Sequence, residues 1–308
     1  MGENPGRARL LLLVGFAVLI SLNFYTFSVA YPQISTIDSG CCSNHPLAKD
    51  FSAFYIGAWR LFYDPSQVYF HGYLNDGEFH IYPQPEGYKY LPSFLLIISP
   101  LLVFSYPQAL VIFDAIQLLM IPVIAFLVYR LVSEKGLVLT FLVGTIALLL
   151  PAPTTGWGFS IAYFWQWKEG QSKVLETLLI LLSFYFAKRE KPLLSGVFLG
   201  ISFFDPRFAL VSLPLFLTFN RRRAYAAFVS LFMTGIISNI PLIYPAIGSG
   251  FVSMLFSTGI FSGFYPYAFI PFVTAVAISI VYHEEILAAV TQFRQRPQRQ
   301  EMPVRSHV

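Results

Sequence analysis

The chain has 308 residues, of which 56% are hydrophobic and 12% charged; its mean hydropathy of +0.62 is far above that of a soluble domain. A bilayer-crossing helix takes about 20 apolar residues, so most of this length belongs in lipid and no separate soluble domain fits beyond a polar loop at 31–90. The net charge of +4 is gathered at Lys188, Arg189 and Lys191, at Arg221 to Arg223, and at Arg294, Arg296, Arg299 and Arg305. These clusters read as cytoplasmic ends of spans and a basic cytoplasmic tail at 286–308 rather than a nucleic-acid patch, so no nucleic acid is expected as a partner.

The first apolar run, Leu10 to Ala30, follows Arg7 and Arg9 and exceeds the core of about 7 to 15 residues found in a cleavable signal peptide. It predicts a retained anchor whose N-terminus is cytoplasmic, which puts the 31–90 loop outside. Cys41 and Cys42 lie in that loop. Adjacent Cα atoms are about 3.8 Å apart, below the usual disulfide range of about 4.4 to 6.8 Å, so a vicinal bridge is strained; free thiols or an intermolecular bond stand beside it as alternatives. From Asp50 onward, Phe51, Phe54, Tyr55, Ala58, Trp59 and Phe62 recur with the spacing of one helix face. That pattern predicts an interfacial helix on the outer membrane surface, its aromatic face at the headgroup boundary. The loop's remaining tyrosines, Tyr69, Tyr73, Tyr82, Tyr88 and Tyr90, lie among scattered carboxylates, which suits a sugar-binding surface or an interfacial aromatic belt.

Further spans are predicted at about 91–105, 108–130, 136–150, 172–187, 192–204, 206–219, 224–246, 250–261 and 264–284. With 9–31 they make an all-α polytopic transmembrane bundle of nine or ten helices, a single integral membrane domain over 1–285. The outer loop and the turn at Asp205 can share a side only if one intervening segment does not cross. The 91–105 piece, with Pro92 and Pro100, and the aromatic stretch Gly156 to Trp167 are the candidates.

Four groups of residues could carry chemistry. Asp50 begins the surface helix, where an aspartate is by default an N-cap; beside aromatic residues at the membrane surface it could instead be a general base for an acceptor hydroxyl. Asp205 and Arg207 flank Pro206 within apolar sequence. Charges there are costly and functional by default, although the two could neutralise each other or cap the break. Arg207 offers a planar fork to phosphate oxygens and could stabilise a phosphate leaving group. The stretch Trp167-Lys168-Glu169-Gly170-Gln171 leads into a helix on which Glu169, Lys173 and Glu176 share one face and can pair; Gln171 and the neighbouring indoles could alternatively line a donor site. Asp114 stands alone in the 108–130 span, without an assigned catalytic role. His71 and His80 with Asp76 and Glu78 could be assembled into a metal site, but Asn75-Asp76-Gly77-Glu78 reads better as a turn. There is no phosphate-cradling glycine loop, zinc helix or nucleophile elbow.

The order Lys49-Asp50-Phe51-Ser52-Ala53-Phe54-Tyr55, then Val68-Tyr69, then Tyr88-Lys89-Tyr90-Leu91-Pro92 before an apolar helix with Pro100 resembles the polyprenyl-phosphate-dependent mannosyltransferases of glycosyltransferase family 87, in the C-type superfamily. Glu169-Gly170-Gln171 before a helix, and Gly196 to Gly200 followed by Asp205-Pro206 and Arg221 to Arg223, look like that family's Gly-Gln segment and its Gly-rich helix ending in Lys-Pro. The likeness is co-linear from residue 10 to about 225. Two departures stand out: Asp205-Pro206 replaces Lys-Pro, and the chain is shorter than most members.

The resemblance implies a C-type glycosyltransferase-like enzyme of the cell membrane, acting on its extracytoplasmic side; no cofactor is expected and no metal-binding residues are assigned. Its donor would be a polyprenyl-phosphate sugar, mannose or another hexose, and its acceptor a lipid or a glycan. Asp50 would be the catalytic base of an inverting transfer. Arg207, Lys89 and Lys168 would hold the donor phosphate, with Tyr55, Tyr88, Tyr90, Trp167, Glu169, Gln171 and Asp205 around the sugar or acceptor. A transporter or lipid flippase using Asp114, Asp205 and Arg207 is the rival reading, though no inverted hydropathy repeat is visible; a non-catalytic membrane subunit is the third.

Overall fold

An apolar chain in lipid must satisfy its backbone N–H and C=O groups internally, and a helix does so within one segment. The computed structural model describes residues 5–35, 48–69, 88, 90–149, 151–153, 159–161, 166–167, 170–245 and 269–295, and these are overwhelmingly helical. In chain order the helices are α1 (Pro5–Ser35), α2 (Lys49–Tyr63), α3 (Ser93–Ile98), α4 (Tyr106–Val132), α5 (Leu137–Leu149), α6 (Lys173–Lys188), α7 (Pro192–Ser202), α8 (Pro206–Phe219), α9 (Ala224–Gly235), α10 (Ile240–Ile243), α11 (Phe269–Val281) and α12 (His283–Gln295). Between α5 and α6, β1 (Pro151–Pro153) pairs antiparallel with β2 (Phe159–Ile161), Ala152 opposite Ser160. The starts follow ordinary local rules. Ser105 and Gln108 form a capping box on α4, and Pro192 and Pro206 open α7 and α8, where a missing N–H is harmless.

The apolar segments fall where expected, but their lengths differ. Among the described residues, Ala8–Val29, Tyr106–Lys135 and Arg221–Ile243 are long and apolar enough to cross a membrane, and the pair Ile270–Val281 and His283–Thr291, bent by 70°, makes a fourth. Ser93–Val103, Leu137–Leu149, Pro192–Ser202 and Ala209–Phe219 are shorter apolar helices. α7, at 11 residues, reaches about 17 Å, little more than half of a hydrocarbon core of about 30 Å. Of the two candidates for a non-crossing segment, 93–103 is six residues of α-helix followed by five of 3-10 helix; the other contributes strand β2. The segment 250–261, both cysteines, and His71, Asp76, Glu78 and His80 lie outside the described residues. Helix α12 continues to Gln295 and packs against α8, so ordered helix extends into the stretch expected to be a tail.

Helix α6 is central and packs on α4, α7, α8 and α11. Helices α7 and α9 approach to backbone contact through Gly196, Gly200 and Gly235. A Cβ on Gly196 would run into the Ala227 carbonyl oxygen, and one on Gly235 would stand 3.0 Å from that of Gly200. Helix α2 forms where its periodicity predicts, with a different environment for its stripe: Phe51, Phe54, Tyr55 and Ala58 are buried in one cluster with Phe94, Tyr106, Phe113 and Phe204. The stripe therefore faces protein. Rings at 88–113 offer it edge-to-face contacts such as Phe54 on Phe94 at 5.0 Å, and Phe94 stacks on Phe204 at 4.5 Å. Phe62 and Tyr63, at the end of α2, are the exposed aromatics of this helix.

Candidate active site

Asp50 lies in the first turn of α2, but Ala48 occupies the N-cap position in a left-handed conformation, φ 55° and ψ 50°. The aspartate is therefore not the cap of its own helix. Its Oδ2 accepts a hydrogen bond from Nε2 of Gln171, 121 residues further along the chain. A left-handed glycine makes this possible. Gly170 has φ +62°, and a Cβ there would stand 2.5 Å from Cβ of Phe51, so only glycine lets this backbone close onto α2.

Gln171 is itself held. Its carbonyl oxygen accepts from Nε2 of Gln117 on α4 at 2.8 Å and from Nε2 of Gln166. Oε1 of Gln166 accepts in turn from the backbone N–H of Lys173 at 3.1 Å. Three glutamines thus fix the segment entering α6, and all three are buried.

Lys173, the first residue of α6, is 1% exposed. Its Nζ lies 3.0 Å from Oε2 of Glu176 and 2.8 Å from Oδ2 of Asp205, and 5.2 Å from the ring centroid of Tyr90. An ammonium at a helix N-terminus opposes the helix dipole, and burial adds a desolvation penalty of several kcal/mol, which pairing and hydrogen bonds must offset. Asp205 stands at the N-cap position of α8 yet makes no side-chain capping bond there; its carboxylate goes to Lys173 instead. The turn that carries it is tied to the 88–91 segment, because the Leu91 N–H donates to the Phe204 carbonyl at 3.0 Å.

The remaining expected site residues divide. Tyr90 joins the cluster through Lys173, and its carbonyl accepts from the Tyr69 hydroxyl at 3.0 Å. Tyr55 and Tyr88 are framework: their hydroxyls donate to the carbonyls of Phe104 and Leu91, both at 2.7 Å. Burial pushes the phenols of Tyr55, Tyr69 and Tyr88 above their usual value, and at Tyr88 the nearby Tyr69, Tyr90 and Asp205 push the same way. Trp167 is fully buried, with its ring edge-to-face with Phe27 of α1 at 5.8 Å. Lys89, Lys168 and Glu169 lie outside the described residues; Arg207 is in the first turn of α8, its side chain outside the description. The structure thus gathers Gln171, Tyr90 and Asp205 with Asp50 and Lys173, and leaves Tyr55, Tyr88 and Trp167 as walls.

Sequence reasoning paired Lys173 with Glu176 but did not make it the hub of the site. The available signal was its position: a lysine in the first turn of an apolar helix is unfavourable enough to require nearby carboxylates. Gln117 and Gln166 carried no signal of comparable strength.

These features define a polytopic helical membrane protein with a carboxylate and a buried ion cluster set among aromatic walls. Its residues 88–290 match the model of glycosyltransferase family 87. The chain belongs to that family and is a membrane glycosyltransferase, which sets the transporter reading aside. The match begins at Tyr88, so Asp50 and α2 precede it. Comparison with curated proteins and with solved structures gives no match.

Proposed function

We propose that this glycosyltransferase moves a hexose, with mannose the first choice, from a polyprenyl-phosphate carrier to a lipid or glycan acceptor outside the cytoplasm, inverting the anomeric centre. The observation that carries the reading is the hydrogen bond from Gln171 to Asp50. An amide donor favours the ionised carboxylate, the form a general base needs, and it orients a group that is only half-buried. In the proposed step Asp50 takes the proton of the acceptor hydroxyl as its oxygen forms a bond to the anomeric carbon. The bond from that carbon to the phosphate oxygen breaks, and its electron pair leaves with the phosphate. A single displacement inverts the centre, and a phosphate departs without needing a proton.

Arg207, Lys89 and Lys168 are the proposed cations for the lipid phosphate, where positive charge stabilises the leaving group. Tyr90, Glu169 and Gln171 are the proposed sugar or acceptor contacts. Lys173, engaged by Glu176 and Asp205, is a positioning residue: it locks the start of α6 and so holds Gln171 against Asp50. Asp205, buried in that ion pair, is reassigned from sugar contact to the same positioning role. The outward orientation rests on the basic flank of α1.

The test is turnover. Purified protein is incubated with polyprenyl-phosphate hexoses and an acceptor extract, and mass spectrometry follows loss of sugar from the lipid. Asp50→Asn can still accept from Gln171 but no longer acts as a base, so transfer falls about 100- to 10,000-fold with folding retained. Wild-type turnover by Asp50→Asn removes the proposed base, and a wild-type protein inert toward every polyprenyl-phosphate hexose removes the donor assignment.

A further inference from the structure

Helix α6 carries a second polar region at its other end. Lys188 is its last residue and Lys173 its first, which separates the two by about 22 Å at 1.5 Å per residue. Beside Lys188 is a cavity of about 320 Å³ whose walls include Glu190, Asn220 and the arginine run Arg221 to Arg223. Its apolar floor is Phe219 and Pro192. None of these residues belongs to the proposed catalytic site.

The cavity is built rather than incidental. Asn220, 4% exposed, donates to Oγ of Ser195 and to the Phe216 carbonyl, both at 2.9 Å, and so pins the turn that presents the arginines. Glu190 turns the chain over the opposite wall in a left-handed conformation, φ 55°. The charges do not balance within it. Lys188 is satisfied by Glu134 and the Tyr282 hydroxyl, at 2.5 and 2.9 Å, whereas for Arg222 and Arg223 the one carboxylate among the described residues of the walls is Glu190, which approaches Arg222 to no better than 3.8 Å. The pair is 71% and 81% exposed, a geometry worth little by itself. Two guanidinium groups, Arg222 and Arg223, against one carboxylate match phosphate oxygens.

A second observation selects the kind of phosphate. The arginines stand at the start of Arg221–Ile243, a run long and apolar enough to cross a membrane, so the cavity lies where that run leaves the hydrocarbon. Immediately beyond its walls, α7 exposes Leu193 and Leu194 and α9 exposes Tyr225 and Phe228. Cations above an exposed apolar wall suit a charged headgroup with acyl chains below it.

We propose that this cavity binds the phosphate of an anionic glycerophospholipid, whose acyl chains lie along α7 and α9. The full chain, purified in detergent, is examined by native mass spectrometry with phosphatidylglycerol, phosphatidylcholine or inorganic phosphate. Phosphatidylglycerol is expected to be retained about tenfold more than phosphatidylcholine. At about fivefold per arginine near a lipid surface, Arg222→Gln cuts retention about fivefold, and the double Arg222→Gln, Arg223→Gln variant about 25-fold; the double Lys variant retains most of it. Arg222 is so exposed that its replacement leaves folding unchanged, so the single variant decides the matter if the double one misfolds. Equal retention of the two lipids, or unchanged retention by Arg222→Gln, overturns the proposal. Displacement of phosphatidylglycerol by equimolar inorganic phosphate would overturn the lipid assignment in favour of a free-phosphate site.

Discussion

Replacing Lys173 by methionine keeps the length of the side chain and removes the charge on which two carboxylates depend. Glu176 and Asp205 are 0% and 1% exposed and each meets the same ammonium, at 3.0 and 2.8 Å. Removing one partner of a buried pair costs about 3 to 5 kcal/mol, because the charge left behind remains desolvated. Here two carboxylates lose the same cation, so the upper half of that range is expected. For a chain of this size about 2 to 4 °C of melting temperature accompanies each kcal/mol, and Lys173→Met should melt at least about 8 °C below wild type in matched micelles. Restoring balance should restore stability: adding Glu176→Leu and Asp205→Leu leaves an apolar triad, and such replacements are often neutral or stabilising. The triple variant should therefore melt close to wild type while transferring sugar poorly, because the ion pair that ties the start of α6, and with it the segment carrying Gln171, to the Asp205 turn is gone. A Lys173→Met protein that melts within about 2 °C of wild type, or a triple variant less stable than the single one, refutes the account of this cluster.

Three other outcomes follow from the same structure. Gly170→Ala places a Cβ 2.5 Å from that of Phe51 at φ +62°, so it should lose about 1 to 2 kcal/mol from the left-handed backbone alone and more from the collision; thermal melts together with sugar transfer measure both. Tyr69 and Tyr88 hold their protons more tightly folded than unfolded, so their contribution to stability is complete below the unfolded value of about 10 and declines as pH rises through the raised folded values. Melting temperature, followed by circular dichroism, should be flat from about pH 8 to 9.5 and fall above about pH 10. Asp114 is buried on α4, and neither carboxylate oxygen has a hydrogen-bond partner among the described residues; Asp114→Leu should raise stability by about 1 to 3 kcal/mol, and a lower melting temperature would show that the carboxylate is engaged.

What was legible in the sequence was what depends on neighbours along the chain. Apolar runs fixed α1, α4 and α6, and the spacing of Phe51, Phe54, Tyr55 and Ala58 placed α2 almost to its ends. Partnerships across the chain were not legible. An aspartate opening a helix reads as an N-cap, but Ala48 took that position and Asp50 turned to Gln171, because Gly170 brings a distant backbone onto α2. The aromatic stripe of α2 reads equally as facing headgroups or protein, since both accept rings; the choice fell to Phe94, Phe113 and Phe204, whose proximity is a product of folding. Lys173 shows the boundary most clearly. Its pairing with Glu176 is a helix neighbour relation and could be read directly, whereas Asp205 is 32 residues away and arrives only because α8 packs against α6. A cation at the start of an apolar helix faces both the dipole and the desolvation penalty, which says that anions must gather there but not which ones. Glu169 and Glu176 were within reach of Lys173 along its own helix, and Arg207 stood beside Asp205. With a local remedy on offer at both places, nothing along the chain singled out the pairing of Lys173 with Asp205 that the fold makes.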